Sequence, residues 1–183
     1  MSVSRREVLK TWVALAGGAL AASSGVLAAC RSAAPRSGTV LDHDDQDLIE
    51  EIADTLLPTT ASSPGAKAAQ VGPVINVILT DCYEPADQRR VVAGLGAFRA
   101  LCRRRAGGEF ATLPRADRER VLREVDAEAR KAGESHYYPL VRDLAQSAYF
   151  SSEIGMTQAL RYIRVPGRWE GCVPLVPGQP AWG

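Results

Sequence analysis

The sequence predicts an all-α protein, a small bundle of about five or six short helices followed by an irregular, Pro-, Gly- and Trp-containing C-terminal arm. Three observations predict it. Apolar residues recur at intervals of three and four from Leu48 to Leu144, the spacing of one buried helix face. No segment alternates apolar and polar with the period of two that a half-buried strand requires. Pro and Gly fall between the periodic runs, where they end helices. The composition agrees: 183 residues with 46% hydrophobic and 23% charged residues suit one globular domain and exclude collagen-like or wholly disordered chains.

Taken in order, residues 42–163 form the helical domain. Asp42 or Asp44 caps a first helix with Leu48, Ile49, Ile52, Ala53, Leu56 and Leu57 on its inner face. Asp44, Asp45, Asp47 and Glu50 crowd its positive N-terminal end, and Pro58 stops it. After the loop Thr59–Ala66, a second helix carries Val71, Val74, Ile75, Ile78 and Leu79 on one strongly apolar face. Glu84-Pro85 opens a third, with Val91, Val92, Leu95, Phe98, Leu101 and Cys102, closed by Arg103 to Arg105 and Gly107. Leu113-Pro114 leads to a fourth, highly charged helix with Val121, Leu122, Val125 and Ala129, stopped by Gly133. A fifth runs from about Ser135 to Phe150 through Tyr137, Leu140, Val141, Leu144, Ala145 and Tyr149, and a short sixth from Ser152 to about Leu160. Residues 164–183 hold four of the eleven prolines and cannot be helical for long. Trp169 and Trp182 lie there, in a segment that cannot build its own core. Such an arm either packs over its own bundle or lies against another protein.

The first thirty residues are an export address. Ser4-Arg5-Arg6-Glu7-Val8-Leu9-Lys10 follows the twin-arginine pattern S-R-R-x-F-L-K, with Val8 in place of Phe. Thr11 to Ala29 then carry no charge and are mild in hydrophobicity, rich in Ala, Gly and Ser. Leu27-Ala28-Ala29-Cys30 has the form of a lipobox, in which Cys30 is the residue acylated. Two acyl chains at that position supply stable membrane anchoring. Residues 31–41 read as a flexible tether. These features predict export by the twin-arginine route to the periplasm and attachment to the membrane as a lipoprotein. They also account for the charge: the net +1 of the whole chain divides into +2 on residues 1–30 and −1 on the rest.

Catalytic motifs are missing. With two His and 6% aromatic residues there is little from which to build a metal or nucleic-acid site, and the charge balance lacks a basic excess. Gly94-Leu95-Gly96 lacks the third glycine and the preceding strand of a dinucleotide fingerprint. No C-x-x-C-H, G-x-S-x-G or H-E-x-x-H occurs. His43, among Asp42, Asp44 and Asp45, reads as a solvated helix start rather than a metal ligand, and His136 as a capping or partly buried residue rather than a general base. Arg103 to Arg105 read as helix-end charges rather than a phosphate or headgroup patch. Four Cys are too few for a disulfide scaffold. Cys82 and Cys102, on consecutive helices, form the candidate disulfide, which leaves Cys172 free or paired with a partner's thiol.

The segment from Tyr149-Phe150-Ser151-Ser152-Glu153-Ile154-Gly155 through Leu160-Arg161-Tyr162, and then Val165-Pro166-Gly167-Arg168-Trp169-Glu170-Gly171-Cys172-Val173-Pro174-Leu175, closely resembles the gluconate 2-dehydrogenase subunit 3 family. Asp54-Thr55-Leu56-Leu57-Pro58 and Pro64-Gly65-Ala66 resemble that family's opening, so the likeness extends from Asp42 to Leu175. The resemblance implies a non-catalytic small subunit with no cofactor of its own. Its partner would be an FAD-containing flavoprotein dehydrogenase of the glucose–methanol–choline type, often joined by a multihaem cytochrome c subunit. It also implies a shared export route, in which the twin-arginine signal carries the folded, FAD-loaded partner across the membrane. Arg161, Tyr162, Arg168, Trp169 and Cys172 are then the expected partner interface. The alternative is a stand-alone envelope lipoprotein with a ligand-binding or scaffolding role. A third and weaker alternative is an enzyme built on His136, Tyr137 and Glu153.

Overall fold

A computed structural model describes residues 39–165, 167 and 171–182. The described residues form five α-helices: α1 (His43–Leu56), α2 (Val71–Cys82), α3 (Pro85–Ala106), α4 (Arg115–Ala132) and α5 (Tyr137–Phe150). Short 3₁₀ turns connect them, and no β-strand occurs among the described residues.

Each helix begins and ends for a local reason. The Asp42 carboxylate accepts the Asp45 amide at 2.8 Å and so caps α1. At the other end the Leu57 amide bonds Ala53 O at 2.8 Å before Pro58. Gln70, in the left-handed region at φ 49°, turns the chain into α2. The C-terminus of α2 is capped from α3, where the Gln88 side-chain amide donates to the carbonyls of Leu79, Thr80 and Tyr83 at 2.9–3.1 Å. Pro85 opens α3, and Gly107, at φ 75°, ends it as a left-handed cap. Gly133 ends α4, and the His136 imidazole accepts the Tyr138 amide at the start of α5.

The central element is α5, which packs against each of the other four helices. Seven of its residues are buried, Tyr137, Tyr138, Val141, Leu144, Ala145, Ala148 and Tyr149, so its apolar surface is wider than a single stripe. Ile49 and Ile52 of α1, Leu79 of α2, Leu95 and Phe98 of α3 and Val121 of α4 close the core, each no more than 1% exposed. Each such side chain contributes about 1.5–3 kcal/mol through burial. Phe110, between α3 and α4, meets Phe98 edge to face with ring centroids 5.0 Å apart. The entering chain is pinned to α2: the Leu41 amide donates to the buried Asn76 side chain at 3.0 Å and the Val40 amide to Thr80 Oγ1 at 3.3 Å. A half-buried ion pair, Arg99 to Asp45 at 2.5 Å, ties α3 to α1, and Glu51 of α1 holds both Lys67 and Arg118.

Two expectations need correction, and the sixth helix differs in type. The second helix is not apolar on one face only, because Val74 is exposed while Asn76 is buried to receive the Leu41 amide. The sixth helix is present over residues 153–159 and is π-helical over Gly155–Ala159, where the Leu160 amide reaches back to Gly155 O at 2.9 Å. Cys82 and Cys102 are both free thiols. Cys82 ends α2, whereas Cys102 lies near the far end of α3, roughly 25 Å along that helix from Pro85 at 1.5 Å per residue. A disulfide requires Cα atoms within about 7 Å.

Candidate interaction surface

After the π-helical turn the chain forms a loop closed by its own ends. The Arg161 amide donates to Ala181 O at 2.7 Å, and Arg161 and Trp182 form an isolated parallel bridge. The Arg161 guanidinium lies over the Trp182 indole, 4.3 Å from the ring centroid, so a cation–π contact reinforces the closure. Near its far end the loop turns at Gly178, whose φ of 80° suits glycine, with the Gln179 amide bonded to Val176 O.

This closure does not bury the apolar side chains of the arm. Leu175 is 81% exposed and Val165 76%, and Tyr162, Ile163, Val173, Val176 and Trp182 are exposed as well. The remaining exposed large apolar residues among those described are Val74, Val77 and Val92. Apolar exposure is thus concentrated in one short segment, the pattern of an interaction surface rather than of scattered surface residues.

The predicted interface residues divide accordingly. Arg161 holds the loop closed, Tyr162 is exposed beside it, and Cys172 is an exposed free thiol within it. Arg168 and Trp169 lie outside the described residues, as do the predicted signal residues Arg5 and Arg6 and the predicted lipidation site Cys30. Trp182, which the interface prediction omitted, is the residue that shapes the arm. Its partner is Arg161, and no local sequence pattern announces a contact so distant along the chain.

The bundle itself offers no assembled catalytic constellation around the residues considered from sequence. His136 stacks on Tyr137 at 4.7 Å between centroids, but its Nδ1 is occupied as the cap of α5. Glu153 lies beyond the opposite end of that helix, roughly 20 Å away at 1.5 Å per residue. Burial pushes the Tyr137 phenol well above its ordinary range, so it stays protonated. His43 is exposed in the first turn of α1, and Arg103 pairs with Glu109 at 2.8 Å. Gly94 is explained by packing: a Cβ there would meet the Tyr137 ring at 2.1 Å. Among the described residues, no group of three or more His, Cys, Asp or Glu is placed to hold a metal ion. No helix among them is long and apolar enough to cross a membrane.

Comparison with known families supplies the remaining observation. The family model described as gluconate 2-dehydrogenase subunit 3 matches residues 43–167. The chain belongs to the gluconate 2-dehydrogenase subunit 3 family. Its match begins at the first residue of α1 and ends inside the arm, so it takes in the whole helical bundle. Neither the curated proteins nor the solved structures contain a match. Family membership makes this chain a subunit of a dehydrogenase complex of the gluconate 2-dehydrogenase kind.

Proposed function

We propose that this chain is the non-catalytic small subunit of an exported, FAD-dependent dehydrogenase complex. It supplies the export signal, the membrane tether and stabilising contacts for a flavoprotein large subunit of the glucose–methanol–choline type. The observation that carries this reading is the family match over residues 43–167. The exposed apolar arm gives the bundle a surface to offer a partner. FAD resides in the large subunit, and haem c, where present, in a third, cytochrome subunit. Arg5 and Arg6 direct the assembly to the twin-arginine pathway, which suits a flavoprotein that must acquire FAD before it crosses the membrane. Cys30 is acylated and holds the complex at the periplasmic face of a membrane.

Truncation before Arg164, co-expressed with the flavoprotein, tests the role of the arm. The core of the bundle includes no residue beyond Ala159, so the truncated chain keeps its fold and melting temperature. Co-purification of the flavoprotein falls at least tenfold. Undiminished co-purification with a folded truncated chain contradicts the assignment of the arm as the interface.

A further inference from the structure

Three segments remote in the sequence, residues 54–58, 64–66 and 149–155, meet at the C-terminal end of α5, and Tyr149 joins them. Its buried hydroxyl donates to Pro64 O and lies 2.8 Å from Ser63 Oγ, 85 and 86 positions away in the chain. The loop that ends there is closed on itself. The Gly65 amide donates to Thr59 Oγ1 at 2.9 Å, and the Ala66 amide to Leu57 O at 2.8 Å. A Cβ at Gly65 would lie 2.6 Å from the Thr59 nitrogen and 2.8 Å from Asp54 Oδ1, so this close approach requires glycine. On the other side, the Ser152 hydroxyl donates to Tyr149 O at 2.6 Å and accepts the Gly155 amide at 3.0 Å. Tyr149 therefore couples the loop to the turn that leads into the arm.

Between loop and turn lies an open groove of about 350 Å³, lined by residues 59–64 and by Gln158. None of these lining residues is charged, and four hydroxyls and the Gln158 amide supply the polar side-chain groups. Thr60, Ser62 and Gln158 are exposed. Gln158 stands three residues before Arg161, at which the arm closes on Ala181, so the groove ends where the arm begins. A specific interface takes about 20–30 residues a side. The seven exposed large apolar residues described in the arm fall short of that number. Interfaces also surround an apolar centre with a polar, hydrogen-bonding rim. The arm has the character of the first and the groove that of the second.

We infer that this groove is the polar rim of the interface with the flavoprotein and receives an uncharged segment of that partner. The segment is held by hydrogen bonds from its backbone or from Ser, Thr, Asn or Gln side chains to the groove hydroxyls and to Gln158. A charged side chain would lose its water there with no opposite charge among the lining residues to replace it. The inference rests on the proposed complex and extends its contact surface from the arm onto the bundle.

Ser62→Arg and Gln158→Arg place a bulky charge in the groove from its two sides and leave residues 160–183 unaltered. Both positions are exposed, so each variant keeps the melting temperature of the parent chain. They lie on different segments, so a fold defect in one leaves the other to decide. Co-expressed with the flavoprotein, each is expected to reduce its co-purification about tenfold. Lys131→Glu is the control: Lys131 is exposed in the last turn of α4, close in the chain to the start of α5, whose length is roughly 20 Å at 1.5 Å per residue. Its co-purification is expected to be unchanged. Parental co-purification by either folded groove variant would overturn the inference, as would an equal loss with Lys131→Glu. If truncation before Arg164 abolishes co-purification while the groove variants do not reduce it, the groove fails and the arm stands. Loss in the groove variants but not on truncation upholds the groove and counts against the arm.

Discussion

Cys82, Cys102 and Cys172 have the same side chain and three different chemical fates, set by their positions. Cys102 is fully buried on the inner face of α3, and burial pushes its thiol up to about 11, with Glu109 adding to the shift. The reactive thiolate is therefore scarce there at neutral pH. Cys82, at the end of α2, and Cys172, in the arm, are exposed. A thiol reagent at neutral pH is expected to modify Cys82 and Cys172 rapidly in the native protein, and Cys102 only after denaturation. Mass spectrometry of the labelled peptides reads this directly, and rapid native labelling of Cys102 would contradict its placement. The sequence suggested a Cys82–Cys102 bridge because adjacent helices often meet. Helix length decided otherwise, since the two residues lie at distant points of the hairpin formed by α2 and α3. His136 was easier to read, because a polar side chain just before an apolar helical run has a short menu of roles and capping is one of them.

At the scale of elements, the crossing of α3 and α5 depends on a residue without a side chain. A Cβ at Gly94 would lie 2.1 Å from the Tyr137 ring, whereas at Gly96, two residues on, it would meet nothing within 4 Å. Gly94→Ala is therefore expected to destabilise the protein by about 1–3 kcal/mol through overpacking. Gly96→Ala should stabilise it by about 0.5–1 kcal/mol by removing the backbone-entropy cost of glycine within a helix. Chemical denaturation of the two variants checks the opposite signs. The sequence identified both glycines as unsuited to nucleotide binding but could not separate them, because their difference lies in the ring that approaches from α5. The five helices were legible because capping residues, apolar spacing and Pro or Gly stops agree at nearly every boundary. Gly155 was less so. The short helix expected there forms as a π turn, and Gly155 approaches Tyr149 O so closely that a Cβ would lie 1.9 Å from it. On α2 the Leu41 amide gives Asn76, not an apolar residue, a reason for burial that no local sequence pattern announces.

At the scale of the molecule, the bundle is well built and its chemistry is sparse. The core is continuous from Leu41 to Tyr149, and the ion pairs Asp45–Arg99 and Glu51–Arg118 join helices remote in sequence. Among the described residues, exposed apolar surface is concentrated in the arm. That arm gives the bundle a surface to offer a partner, in keeping with its family of dehydrogenase subunits. The sequence motifs of the arm were sufficient to reach the family. They could not reveal its shape, because the Arg161–Trp182 closure joins two residues with no shared local pattern. The central claim, that this chain escorts a flavoprotein through the membrane, is tested most directly by replacing Arg5 and Arg6 with Lys in cells expressing both subunits. FAD-bound large subunit is then measured in the periplasmic and cytoplasmic fractions. The account predicts that both subunits remain in the cytoplasm, whereas a periplasmic, FAD-loaded large subunit at undiminished level would contradict it.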